Sequence, residues 1–167
     1  MTSRWHVTFL PVTLVLFLVW QCVFAVHAMM ADALNFSVQR EMVFWGIAGK
    51  IPAAAEIAAA RERMESALAL WPHHPDYLSL LARIHAWQGQ ISANKPEADK
   101  AFKLAITTMH QSLVERPGNP FSWAQYAEYL STQRDKRLEL LLAVDKVRTL
   151  GAGEAGLQKR MQALVIR

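Results

Sequence analysis

Histidines are the side chains of this chain best suited to bind a metal ion. His73 and His74 are adjacent in a short segment between two prolines, with no cysteine nearby. Neighbouring side chains on an extended turn point apart, so one metal ion would not easily take both. His85 and His110 fall beside apolar positions of predicted helices, where a single histidine is usually a hydrogen-bonded packing residue. The histidines therefore predict no metal site, and the sequence predicts no bound cofactor.

Acid–base catalysis would need two carboxylates that converge in one pocket, where different surroundings push their pKa values apart. Glu62 and Glu65 share a helix face at a spacing of three residues, but Arg61 and Arg63 surround them. This alternation of charge is typical of a solvated helix surface. The chain also has no glycine-rich phosphate loop, nucleophile elbow or metalloprotease helix motif. We therefore predict a protein that is not an enzyme.

Aromatic side chains are the remaining candidates for a binding site. They recur along the predicted helices where stacked helical units would meet: Trp71, Trp87, Phe102, Trp123, Tyr126 and Tyr129. One interpretation is a packed core between helices, because each such ring buries a large apolar area. The other is a concave aromatic groove that binds a peptide helix or stacks on sugar rings. Trp87, Tyr129, Trp123 and Tyr126 are the predicted partner-binding residues, with Trp87 and Tyr129 expected to be partly exposed.

A repeated proline motif indicates how these side chains are positioned. A Pro-x-x-Pro segment occupies residues 72–75 and returns 45 positions later at residues 117–120. The match continues into the flanking helical patterns, where Ala82 overlays Ala127 and Leu81 overlays Tyr126. Periods of 20–50 residues are typical of stacked helical repeats. Such repeats usually bind partners.

Apolar residues at helical spacing extend through the rest of the chain, and no strand-like alternation of useful length interrupts them. The predicted helices after the first one cover residues 52–71, 75–89, 95–116, 120–132, 135–150 and 154–166. The longest loop is predicted at residues 90–94. In the helix at 135–150, the predicted buried face consists of Leu138, Leu141, Leu142 and Val147.

The amino-terminal segment at residues 7–28 is almost wholly apolar and contains no Asp, Glu, Lys or Arg. About 20 such residues suffice for a helix to cross about 30 Å of hydrocarbon. The alternative is a signal peptide cleaved after Ala28. Arg4 precedes the segment and Asp32 follows it, so the amino terminus is predicted to be cytoplasmic. The first helix is expected to continue into the soluble part without a break, presenting Leu34, Val38, Met42 and Trp45 on one face.

The formal charge of +4 could indicate an anionic partner. The excess comes from residues 134–167, where the basic residues are spread over predicted helix faces rather than in a dense stripe. We therefore predict no nucleic-acid partner. The single cysteine, Cys22, lies in the apolar segment, so no disulfide within the chain can stabilise the remainder.

On these residues the chain resembles the tetratricopeptide repeat, a helix–turn–helix unit of about 34 residues. In the unit that starts at Pro75, the positions of the family's motif are held by Leu78, Leu81, Ala82 and Gly89. Its second helix is matched by Ala105, Met109 and Pro117 if about 11 residues are inserted after Gly89. The resemblance implies an all-α fold: one transmembrane helix, then a tetratricopeptide-like α-solenoid of two to three helical hairpins and a carboxy-terminal capping helix.

The combination of a short anchor, the Pro-x-x-Pro turns and Trp87 is also similar to the small membrane-anchored repeat proteins of bacterial exopolysaccharide biosynthesis. This resemblance implies a periplasmic domain held by one pass through the bacterial inner membrane. The predicted divisions are an anchor at 1–30, a helical extension at 31–51 and a repeat domain at 52–167. The implied function is a scaffold that binds a protein subunit of an envelope assembly, with polysaccharide contact as a further possibility. The alternatives are an accessory subunit of a larger membrane complex and a cytochrome c or pilus assembly factor.

Overall fold

The structure is a computed structural model that describes residues 5–45, 47 and 50–165. All the longer elements among these residues are α-helices, which confirms the all-α prediction. They are α1 (Trp5–Phe44), α2 (Ala54–Leu70), α3 (Pro75–Ile91), α4 (Lys95–Glu115), α5 (Pro120–Leu130), α6 (Arg137–Leu150) and α7 (Ala155–Val165). Arg4, on which the predicted orientation depends, and residue 166 of the last predicted helix lie outside the described residues.

The prolines determine where two of these helices begin. Pro75 opens α3 and Pro120 opens α5, as expected for a residue whose missing N–H costs nothing in the first turn. At α5 the preceding Asn119 adds a side-chain cap, because its Oδ1 accepts a hydrogen bond from the backbone N–H of Phe121 at 3.0 Å. The repeated proline motif therefore forms the two turns that the sequence predicts.

The long loop predicted at residues 90–94 is wrong. Helix α3 continues to Ile91, so that only residues 92–94 separate it from α4. Most of the extra residues relative to a standard repeat lengthen the two helices, which have 17 and 21 residues. Polar residues can end a helix as well as form a loop, because their side chains stay at the surface. Polarity alone therefore did not predict that α3 continues to Ile91.

Successive helices pack antiparallel, and α3 is shared between two hydrophobic clusters. The first cluster joins the second half of α1 to α2 and one face of α3, and it buries Val38, Met42 and Trp45 as predicted. Polar contacts also attach α1 to its neighbours. The Tyr77 hydroxyl donates to Asp32 Oδ1 at 2.6 Å. Arg63 forms an ion pair with Glu41 and donates a hydrogen bond to the Ser37 hydroxyl at 3.4 Å.

The second cluster contains the other face of α3 together with α4, α5, α6 and α7. Small residues mark the closest approaches, since Ala82, Ala105, Ala127 and Ala143 are fully buried. Each helix therefore contacts mainly its neighbours in the chain. The superhelical solenoid remains a prediction, as do the domain divisions.

The predicted face of α6 is wrong at three of its four positions. Leu138 is 77% exposed and Leu142 66% exposed, and Leu141 is exposed as well. The residues that pack on α5 are instead Leu140, Ala143, Val144 and Val147. Leucines lie on several sides of α6, so the spacing of apolar residues did not show which side of the helix is buried. Ala143 is fully buried in the second cluster, so the side of α6 that carries it faces inward and Leu138 and Leu142 remain outside.

Helix α1 is the one candidate for a membrane span among the described residues. Its Pro11–Phe44 portion is long and apolar enough to cross a membrane, with a mean hydropathy of 2.1 in its most apolar window. This is compatible with a membrane anchor or a signal sequence. Its 34 residues extend about 51 Å at 1.5 Å per residue, well beyond the hydrocarbon thickness. The helix is therefore long enough both to cross a membrane and to pack on α2 and α3.

Candidate functional site

An open groove of about 730 Å³ lies on α4, α5 and α6. Helix α5 packs against both α4 and α6, so that its side chains form the floor. The apolar lining consists of Ile106, Trp123, Tyr126, Leu142 and Ala143. We refer to this surface as the α4–α6 groove.

The aromatic floor of the groove is held in one arrangement by specific contacts. The rings of Trp123 and Tyr126 meet edge to face with centroids 6.1 Å apart, and His110 of α4 lies 5.9 Å from Tyr126. The Trp123 indole N–H donates to the backbone carbonyl of Pro117 at 2.7 Å. Because this bond and the ring contacts fix the indole, the floor needs little reordering when a ligand binds.

One edge of the groove carries paired charges. Lys136 Nζ and Glu139 Oε1 are 2.6 Å apart, and Lys146 and Asp145 lie further along α6. Burial raises the pKa of Tyr126, and the charge of Glu139 and its hydrogen bond to the phenol raise it further. Tyr126 is therefore a neutral donor at physiological pH. The groove thus combines an apolar floor with an edge that offers charges of both signs.

Exposed leucines extend the apolar surface beside the groove. Leu138 and Leu142 lie one helical turn apart on the outer side of α6, and Leu142 lines the groove directly. A packed helix normally turns such residues inward. An exposed row of this kind is typical of a surface that binds another polypeptide.

The structure brings together two of the four predicted partner-binding residues. Trp123 and Tyr126 lie side by side in the α4–α6 groove. Trp87 is partly buried and packs against the first hydrophobic cluster, where its ring meets that of Trp45, the residue after α1, edge to face at 6.0 Å. Tyr129 is only 8% exposed, so the expectation of partial exposure is wrong for it. Tyr129 is buried in the second cluster, as is Tyr126 at 7% exposure, but only Tyr126 also borders the groove.

The remaining candidates from the sequence do not converge. His73 Nδ1 lies 3.5 Å from Glu115 Oε1, whereas His74 stacks on Tyr77 with ring centroids 4.0 Å apart. The two histidines therefore diverge as predicted. Arg61 and Glu65 form an exposed ion pair along α2. Among the described residues, no group of three histidine, cysteine or acidic side chains comes together in a way that could hold a metal ion.

Sequence reasoning missed Leu142, Lys136 and Glu139 as members of the groove. The signal was present in α6, which has more leucines than one buried face can hold. Recognising which of them stay outside required the contact with α5. His110 was assigned to packing, but it is exposed and lines the groove.

No protein-family model matches this chain, and no curated protein matches it significantly.

Proposed function

We propose that this protein is a non-enzymatic, membrane-anchored scaffold that binds an amphipathic helix of a partner protein in the α4–α6 groove. The observation that carries the proposal is the combination of an apolar floor with the exposed leucines beside it. A helix placed in such a groove contributes apolar side chains at i, i+3, i+4 and i+7. Covering Leu142 would remove one of the most exposed leucines of the domain from water.

The charged edge gives the expected partner a definite pattern. An acidic residue beside Lys146 and a basic residue beside Asp145 would complement the edge, and they would favour one direction of the bound helix. A sugar chain is a weaker candidate for this groove because its hydroxyls would find partners at the polar edge but none along the exposed leucines, whereas the apolar face of a peptide helix needs none. Polysaccharide contact is therefore kept as an outcome of the test.

In the proposal, the membrane anchor determines where the partner is held. A protein confined to the membrane holds its partner there at a high effective concentration without any additional contact. We propose a bacterial inner-membrane location with the helical domain in the periplasm, and a partner from an envelope assembly. Exopolysaccharide synthesis or export is the first such pathway to test. Support for this choice comes from the apolar helix α1 and the repeated proline turns.

The partner is best identified by crosslinking from the groove in intact cells. A photo-activatable amino acid at Leu142 of the full-length protein should capture a helical segment of one envelope protein. The same group at Leu104, an exposed leucine of α4 that does not line the groove, is the matched control. Capture by both positions alike, or of no defined polypeptide, would contradict the proposal. Capture of a glycan at Leu142 would favour the polysaccharide alternative.

Disruption of the groove gives a second, independent test. Leu142→Arg should abolish the crosslink at a neighbouring position without changing the unfolding midpoint, because the side chain is exposed. Leu104→Arg should leave both unchanged.

The captured protein also distinguishes the alternatives, since an accessory subunit would crosslink to an integral subunit of a larger membrane complex. The amino terminus of the purified protein tests the anchor, because a new terminus at Met29 would show that a signal peptide had been removed.

A further inference from the structure

The antiparallel packing gathers three turns at one end of the helical domain. These are the turns between α2 and α3, between α4 and α5, and between α6 and α7. Side chains connect the first two, because Arg116 after α4 forms an ion pair with Asp76 at the start of α3. The third is adjacent as well, since a Cβ added at Gly151 would lie 3.2 Å from the Cβ of Pro120. We call this surface the turn end.

The turn end lies beside the apolar segment of α1. The ring of Trp71, which follows α2, is 5.4 Å from the ring of Phe24 in α1. Phe24 in turn contacts Trp20 one helical turn earlier, with ring centroids 6.3 Å apart. Trp71 thus packs against α1 four residues before Ala28, where the apolar run at residues 7–28 ends. Four residues correspond to a rise of about 6 Å along the helix.

This contact fixes the height of the domain above a membrane that α1 crosses. If the apolar run spans the hydrocarbon, Trp71 lies about 6 Å below the level of its outer end, near the headgroup boundary. Tryptophan is enriched at that boundary, because its ring suits the mixture of apolar and polar groups there. The domain cannot stand clear of the surface on a free linker, because α1 is continuous through residue 44 and packs on α2 and α3.

The exposed side chains at the turn end suit the same boundary. Val114 at the end of α4 is 66% exposed and Phe121 at the start of α5 is 55% exposed, and Leu150 at the end of α6 is also exposed. Charges of both signs also lie there, since Arg116 is paired with Asp76 and Glu115, Arg148 and Glu154 are exposed. The surface therefore combines exposed apolar side chains with charges of both signs and is not strongly basic.

We infer that the turn end rests on the phospholipid bilayer that α1 spans, with Trp71 just inside the headgroup boundary and Phe121 at headgroup depth. The inference rests on the membrane anchor of the proposed function. In this arrangement the axes of helices α2 to α7 are roughly perpendicular to the membrane, and the α4–α6 groove opens parallel to the membrane plane. A partner helix that leaves the membrane beside α1 could then enter the groove directly. Because the surface is not strongly basic, seating should not require anionic lipid.

Spin labels on the full-length protein in phosphatidylcholine nanodiscs test this arrangement. The chain has one cysteine, so Cys22→Ser provides a background for single-cysteine variants. Val114→Cys reports on the turn end, and Ala93→Cys reports on the exposed turn between α3 and α4 at the opposite end. Val15→Cys reports on the apolar segment. The measurement is the ratio of collision rates with oxygen and with a water-soluble nickel complex.

The expected result is hydrocarbon depth at residue 15, headgroup depth at residue 114 and full water exposure at residue 93. Nickel collisions at 114 should be several-fold fewer than at 93. Hydrocarbon depth at 15 with equal water exposure at 114 and 93 would overturn the seating of the turn end while leaving the anchor intact. Water exposure at 15 would overturn both. A drop in nickel collisions at 114 that needs anionic phosphatidylglycerol would also overturn it, because that dependence indicates an electrostatic contact.

Discussion

The register of α6 makes the sharpest prediction, because it contrasts two leucines in the same helix. Leu140 is 3% exposed and belongs to the second hydrophobic cluster, whereas Leu138 is 77% exposed. Replacing a buried leucine by alanine removes its transfer free energy and leaves a cavity, at a cost of about 2–5 kcal/mol. An exposed leucine costs within about 0.5 kcal/mol. Both changes are Leu→Ala inside α6, so the difference in helix propensity cancels between them.

Leu140→Ala should therefore lower the free energy of unfolding by at least about 2 kcal/mol more than Leu138→Ala does. The assay is urea unfolding of the full-length protein in detergent micelles, followed by circular dichroism. The dependence of the free energy on urea concentration should stay the same in both variants, since a change in that slope would indicate a different denatured state. Equal losses, or a larger loss for Leu138→Ala, would refute the register and with it the exposed leucines beside the groove.

Three further predictions concern the helical packing and its response to pH. Gly89→Ala should lower the free energy of unfolding by up to about 2 kcal/mol, because overpacking against the ring of Phe102, 2.9 Å from the added Cβ, outweighs the gain in helix propensity. Tyr77→Phe should cost about 1.5 kcal/mol in urea unfolding, the low end for a hydrogen bond to a charged group, because the exposed Asp32 is readily hydrated afterwards. Burial lowers the pKa of His85, so its contribution to stability is complete above pH of about 6.5 and is lost as the pH falls below that value. Thermal unfolding of the protein between pH 7.5 and 5 should show this loss, and His85→Gln should reduce the dependence on pH.

Matched controls make these outcomes interpretable. Gly156→Ala in α7 meets nothing within 4 Å, so it should be neutral or stabilising, and a loss as large as that of Gly89→Ala would remove the packing explanation. An unchanged stability in Tyr77→Phe would show that the contact between α1 and α3 contributes nothing. If His85→Gln keeps the full pH dependence of the parent protein, another group is responsible for it.

The sequence predicted the parts of the fold that depend on neighbours along the chain. Pro75 and Pro120 open helices because their geometry favours the first turn wherever it occurs. Val38 and Met42 repeat at helical spacing, so they face one side of α1 in any packing, and Trp45 directly after the helix joins the same cluster. The loop at residues 90–94 was harder to predict, because polarity does not distinguish an exposed helix end from a turn.

The candidate site was predicted only in part, because its residues come from three helices. Trp123 and Tyr126 lie about one helical turn apart in α5, so their proximity followed from sequence spacing. Tyr126 and Tyr129 are both buried in the second cluster, and only the placement of α4 and α6 decides that Tyr126 rather than Tyr129 borders the groove. The contribution of Leu142 could not be anticipated until the contact surface of α6 was known.

By itself, the amino-acid sequence determined an all-α chain, the positions of its proline turns and one apolar helix long enough to cross a membrane. These features follow from local geometry and from composition, which act over a few residues. The tertiary structure alone decided which leucines of α6 are buried and which side chains form the groove. Those outcomes depend on how distant helices pack: the side of α6 that carries Leu140 and Ala143 is buried in the second cluster, which leaves Leu138 and Leu142 exposed.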